Sequence, residues 1–127
     1  VARLSWRSAA TATTVTLAAL GLGACSNSAA SSNAHQACQR IETSLKTYRA
    51  ASASGVPAAT AATLSARAQE QLLSALPFAA SATSDDGAYN ALMTTIQEGD
   101  RVPEGLLTDS LTRQCKQILS KSSYFGF

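Results

Sequence analysis

Apolar residues in this chain recur every three or four positions in four separate stretches, and that spacing confines the fold to packed helices. The first stretch is Cys38, Ile41, Leu45, Tyr48 and Ala51, and the second is Ala61, Leu64, Ala68, Leu72 and Leu76. Tyr89, Leu92, Met93 and Ile96 share a third face, and Leu107, Leu111, Cys115 and Ile118, with Leu119 beside them, form a fourth. No convincing strand run or long repeat interrupts the pattern. The spacing predicts a small all-α antiparallel bundle of about four helices with short connections.

Local signals set the expected ends of these helices. Asn33 with Gln36 three residues later resembles a capping box, which starts the first helix at Asn33, and Gly55 supplies its stop. Glu42 and Lys46 are spaced as a favourable i,i+4 pair on that helix. Pro57 can open the second helix, whose many alanines combine high propensity with close approach to neighbours. Pro77 either kinks that helix or begins a short new one through Phe78 and Ala82, and the sequence leaves both open. Asp85 and Asp86 fall where a third helix favours negative charge, Gly99 closes it, and Pro103-Glu104 forms the first turn of the last helix.

Upstream, Arg3 and Arg7 precede an uncharged core from Ala9 to Leu22, diluted by Thr11, Thr13, Thr14 and Thr16, and Leu22-Gly23-Ala24-Cys25 ends it. A membrane span needs roughly twenty apolar residues, more than this core holds. A basic start, a short core and small residues before a cut are the parts of an export signal. With an aliphatic residue, two small residues and a cysteine, Leu22, Gly23, Ala24 and Cys25 resemble the lipobox of bacterial lipoproteins position by position. The resemblance implies cleavage between Ala24 and Cys25 and a diacylglyceryl group, with acyl chains such as palmitate, on the Cys25 thiol. Two acyl chains give the stable anchoring that a single chain does not. An ordinary cleaved leader with an incidental Cys25 is the alternative. The resemblance covers only the leader and anchor; Val1 and the alanine-rich composition lean it towards an actinobacterial-type small lipoprotein.

Three cysteines are an odd number for an exported chain, which calls for an explanation. With lipid on Cys25 the remainder is Cys38 and Cys115, which an oxidising compartment favours pairing. That bridge closes a loop of about 78 residues, for which chain entropy gives about 4.5 kcal/mol. The contribution matters in a domain with one modest core, where net stability is typically about 5–15 kcal/mol. Two buried free thiols are the alternative, since cysteine also serves as a small core hydrophobe.

The resulting organisation is a removed signal peptide at 1–24, a lipidated cysteine and flexible tether at 25–32, a helical domain at 33–121 and an aromatic tail at 122–127. Ser26 to Ser32 contain no core-forming residue, and a coil of that length spans about 15 Å. Loss of Arg3 and Arg7 leaves eight of the ten basic residues against eight acidic ones, so the basic stripe of a nucleic-acid binder is absent. Tyr124, Phe125 and Phe127 read either as an interaction tail or as a cover over an apolar seam of the bundle.

Groups with catalytic chemistry are sparse. His35, the single histidine, is expected in the first turn of the first helix as a surface or capping residue rather than a base or ligand. Asp85-Asp86 and Glu98-Asp100 are read as helix-end carboxylates rather than a calcium site, which needs six or more oxygens. No serine lies in a Gly-x-Ser-x-Gly elbow, and no cysteine–histidine spacing suggests zinc. The sequence expectation is therefore a non-enzyme without metal or cofactor. It would be an exported protein anchored on the outer face of the cell membrane, acting as an interaction module for an envelope protein. A carrier of an apolar small molecule or lipid, marked by unfilled core volume around the second helix, is the alternative.

Overall fold

The computed structural model describes residues 22–123, with side chains described for 28–121. The export core with Arg3 and Arg7, and the tail with Tyr124, Phe125 and Phe127, lie outside the described residues, as does the side chain of Cys25.

Five α-helices follow one another: α1 (Leu22–Ala51), α2 (Ala58–Leu73), α3 (Leu76–Asp85), α4 (Asn90–Glu98) and α5 (Thr108–Ser123). Short 3-10 turns at Gly87–Tyr89 and Glu104–Leu106 precede α4 and α5. No strand occurs among the described residues. The chain is thus the small all-α bundle that the spacing predicts, and Cys38 and Cys115 form its disulfide, with their Cα atoms 5.4 Å apart.

Helix α1 is the central element. Its expected stripe is the buried face: Cys38 and Ile41 are fully enclosed, Leu45 and Ala51 nearly so, and Tyr48 is half-buried. This face packs against α2, α3 and α5. Contacts from Ser44 to Ala68 and from Arg40 to Ser74 run in opposite senses along the two helices, so α1 and α2 are antiparallel. Leu72, Ala75 and Ala79 meet Ala37, Cys38 and Ile41 in the core, which Leu92 and Ile96 of α4 and Leu111 of α5 complete. Alanine at these seams lets helix backbones approach closely, so dense packing is reached with few large side chains.

The N-terminal boundary corrects the sequence reading. Helix α1 begins by Leu22, not at Asn33, so the stretch expected to be a flexible tether is helical and Asn33 is internal rather than a cap. The reason lies in Ala30 and Ala34, which are buried on the same face as Ala37 and extend the apolar stripe one turn after another. Serine and asparagine have only slightly unfavourable helix propensity, which burial along one face overrides once a helix is nucleated.

Pro77 resolves as a break. It occupies the first turn of α3, where its missing N–H costs nothing, and α2 ends at Leu73. Ser74 and Ala75 form the turn between the two helices, and Leu76, assigned by spacing to the second helix, starts the next one. This break raises the helix count above the expected four. Pro57 stands just before α2, its carbonyl accepting the amide of Ala61 at 2.9 Å. Gly55, in the connection before it, has φ +82°, a conformation that suits glycine. At the other end, Glu104 belongs to a separate 3-10 turn rather than to the first turn of the last helix.

Candidate functional site

A cleft of about 710 Å³ lies between α1 and α5, on the side of the disulfide away from α2 and α3 in the lining it draws upon. Its floor is apolar, with Leu45 and Cys115 almost fully buried and Leu119 beside them. Its rim is basic, with Lys46 and Arg49 on one turn of α1 and Lys116 on α5. Glu42 is the one carboxylate lining it. The expected Glu42–Lys46 ion pair is not formed, and none of the three cations has an ion pair among the described residues. Exposed cations gathered over an apolar floor favour an acidic partner and reject a basic one, through complementarity of charge rather than area.

A second cleft, of about 570 Å³, opens beside the first where Tyr48 of α1, Gln69 of α2 and the connection from Gly99 to Glu104 meet. Gln69 Nε2 donates to the Gly99 carbonyl at 3.1 Å and holds this connection against α2. Beneath it, Glu104 is only 7 % exposed, and its Oε1 stands 2.6 Å from Ser44 Oγ. The same hydroxyl stands 2.5 Å from the Ala68 carbonyl. Burial pushes the Glu104 carboxyl above the usual carboxylate range, and a hydrogen bond donated by Ser44 to the ionised form would offset part of that rise. Neither Ser44 nor Glu104 stood out in the sequence. The available signal was Ser44 itself, a hydroxyl between Ile41 and Leu45 on a face that must be buried and therefore needs a partner.

Other residues singled out by sequence fall apart from these clefts. His35 is half-buried within α1 rather than in its first turn. Asp86 caps the turn before α4, its Oδ1 accepting the Ala88 amide at 2.9 Å, while Asp85 is the last residue of α3. Glu98 and Asp100 flank Gly99 at the C-terminal end of α4, where a carboxylate does not cap a helix. Among the described residues no three of His, Cys, Asp or Glu come together as a metal site, and no helix is long and apolar enough to cross a membrane. Among the described residues the serine–carboxylate pair Ser44 and Glu104 is buried, with Ser44 fully enclosed and its hydroxyl against the Ala68 main-chain carbonyl.

On the opposite side of α1, Arg40 lies over the Phe78 ring at 4.7 Å from its centroid and donates to Ser74 Oγ at 3.3 Å. Those contacts tie the α2–α3 break to α1 and use the Arg40 charge internally. The charge on this side of α1 is thus engaged internally, unlike that of Lys46, Arg49 and Lys116 around the α1/α5 cleft, which have no ion pair among the described residues. Comparison of the chain with known protein families, with curated proteins and with solved structures finds no match.

Proposed function

We propose that this chain is an exported cell-envelope protein, anchored to the outer face of the cell membrane by diacylglyceryl on Cys25. In this reading the helical body is a non-enzymatic interaction module that presents the α1/α5 cleft to an acidic surface of an envelope protein. The lipobox-like Leu22-Gly23-Ala24-Cys25 supports the anchor. The Cys38–Cys115 disulfide supports an oxidising location. The observation that carries the interaction reading is the gathering of Lys46, Arg49 and Lys116 around one apolar-floored cleft, with no ion pair among the described residues to neutralise them.

The carrier reading draws less support. It calls for an apolar chamber around α2, whereas the inward residues Ala68 and Leu72 are buried in the core and the cleft that α2 does line, at Ser65, Ala66 and Gln69, has polar Asp100, Arg101 and Glu104 on its other side.

The test is a photo-crosslinking residue in place of Thr112, which lines the cleft, in the protein expressed in its own host. The expected result is one discrete protein adduct that disappears when Lys46 and Lys116 are both changed to Glu, with the anchor intact by mass. Adducts that survive the charge reversal, or that form equally from a site on α3 such as Ser81, would overturn the assignment of the cleft. A mass starting before Cys25, or lacking lipid, would overturn the anchor independently.

A further inference from the structure

The buried contact between Ser44 and Glu104 has a hydrogen count that does not close for an ionised carboxylate. Ser44 Oγ carries one hydrogen. It sits within hydrogen-bond distance of two oxygens, the Ala68 carbonyl at 2.5 Å and Glu104 Oε1 at 2.6 Å. The carbonyl has no proton to give. With Glu104 ionised, one of these two short oxygen–oxygen contacts would hold no hydrogen and would set lone pairs against each other. With Glu104 protonated at Oε1, both close: the carboxyl O–H donates to Ser44 Oγ, and the Ser44 O–H donates to the Ala68 carbonyl.

We infer that Glu104 is kept as a neutral carboxylic acid, and that its proton is the fastening of a latch holding the α4–α5 connection to α1 and α2, released when that proton is lost. Three elements meet at the latch: Ser44 comes from α1, Ala68 from α2, and Glu104 opens the turn that leads into α5. Burial of all three fits this protonation state, since Ser44 is fully enclosed and Glu104 nearly so. Glu104 Oε2 is buried without a partner, which a neutral carbonyl-type oxygen tolerates far better than a carboxylate oxygen. No cation compensates from within: Glu104 has no ion pair among the described residues.

The groups facing this carboxyl are few. From α1 the titratable neighbour is Tyr48, and from α2 the neighbours Ser65 and Gln69 carry no charge. The connection itself contributes Asp100 and Arg101, both exposed, and α5 contributes the Thr108 hydroxyl, which donates to the Glu104 carbonyl at 3.2 Å. Asp100 and Arg101 have opposite signs, so their fields on Glu104 oppose each other. Burial, already noted as raising its pKa, then sets the direction.

Release changes the surface as well as the core. A charged Glu104 must reach water, and the open route is the cleft it shares with Tyr48 and Arg101. Gly105 lies against the Tyr48 hydroxyl with no room for a Cβ, so outward movement of the turn also frees Tyr48.

The direct test is a titration of the Glu104 side-chain carboxyl by carbon-detected nuclear magnetic resonance on the full chain, read alongside hydrogen exchange of the 105–107 amides. The latch requires a Glu104 midpoint above that of glutamate in an unfolded peptide of the same sequence, and a loss of protection at these amides, relative to their intrinsic base-catalysed exchange rates, through the same pH interval. A midpoint at or below the peptide value overturns the neutral acid. A raised midpoint with unchanged protection overturns the latch while leaving the protonation state standing. Glu104→Gln, which keeps a donor but cannot ionise, should hold the protection of the 105–107 amides, taken relative to their intrinsic exchange rates, constant across that interval; if its protection still falls, the proton on Glu104 is not the fastening.

Discussion

Removing the Cys38–Cys115 bridge, by the double change Cys38→Ala and Cys115→Ala, should cost about 4.5 kcal/mol through loss of the constraint on the unfolded chain. The figure follows from the sequence separation of 77, because the bridge joins the first helix to the last and spans nearly all of the described fold. Both cysteines are core residues, at 0 % and 3 % exposed, so the lost sulfur atoms add a packing term of the same sign. Against a typical net stability of about 5–15 kcal/mol, this leaves a protein near its folding threshold. The assay is urea unfolding of the oxidised wild type and the double variant, fitted for both the free energy and its denaturant slope. The variant should lose about 4.5 kcal/mol and gain slope, because an unbridged chain exposes more surface when unfolded. A loss below about 1 kcal/mol with an unchanged slope would refute the reasoning, since it would mean that the bridge constrains neither state. If the variant does not fold, reduction of the wild type followed by urea dilution isolates the same term without the change in side-chain volume.

Four further outcomes are expected. Stability should fall as pH rises through the Glu104 midpoint: the folded state holds this proton over an interval in which the unfolded chain has released it, so its contribution is complete below the unfolded carboxylate range and lost above the raised value. Melting temperatures of wild type and Glu104→Gln should therefore diverge with rising pH, and parallel curves would contradict this. Gly99→Ala places a Cβ 2.7 Å from Leu72 Cδ2 and 3.0 Å from the Ile96 carbonyl, and since Leu72 is fully buried the overpacking should cost about 1–3 kcal/mol in denaturant unfolding. Gly55→Ala has open space around it but φ +82°, so its cost should be smaller, about 1 kcal/mol, and purely conformational. On the proposed anchor, Cys25→Ala should move the protein out of the membrane fraction of its host, as read by fractionation and immunoblot.

The helical class and most inward residues were legible because large apolar side chains mark a face unambiguously. Ile41, Leu45, Leu72, Leu92, Ile96 and Leu111 all point inward where a three-to-four spacing puts them. Alanine carries no such mark. Ala30, Ala34, Ala75, Ala79 and Ala82 are core residues, while Ala58, Ala59 and Ala62 face solvent, and hydropathy does not separate the two sets. That ambiguity hid the N-terminal extension of α1, whose burial depends on alanines set among serines. Pro77 was undecidable locally because a proline suits the start of a new helix as well as a kink, and the packing of Ala75 and Ala79 settles it. The Ser44–Glu104 contact joins residues 60 apart, and local spacing cannot see a pairing made by tertiary structure. The α1/α5 cleft was equally hidden, because Lys46, Arg49 and Lys116 look in sequence like ordinary solvated positions until two helices bring them to one rim.

An unbroken α1 would change the mechanics of a body held by the proposed anchor at Cys25. Seven coil residues would act as a leash, letting the domain swivel freely above the lipid and present any side to a partner. A helix through the same residues acts as a mast instead. From Cys25 to Cys38 it rises about 20 Å, and from there it is clamped into the core by packing and by the bridge to α5. The remaining freedom is pivoting at the foot, so the height of each side chain on α1 above the lipid would be fixed by its residue number and the tilt. Lys46 and Arg49 would ride together near the masthead, about 30 Å or more along the helix from its foot when the mast stands upright.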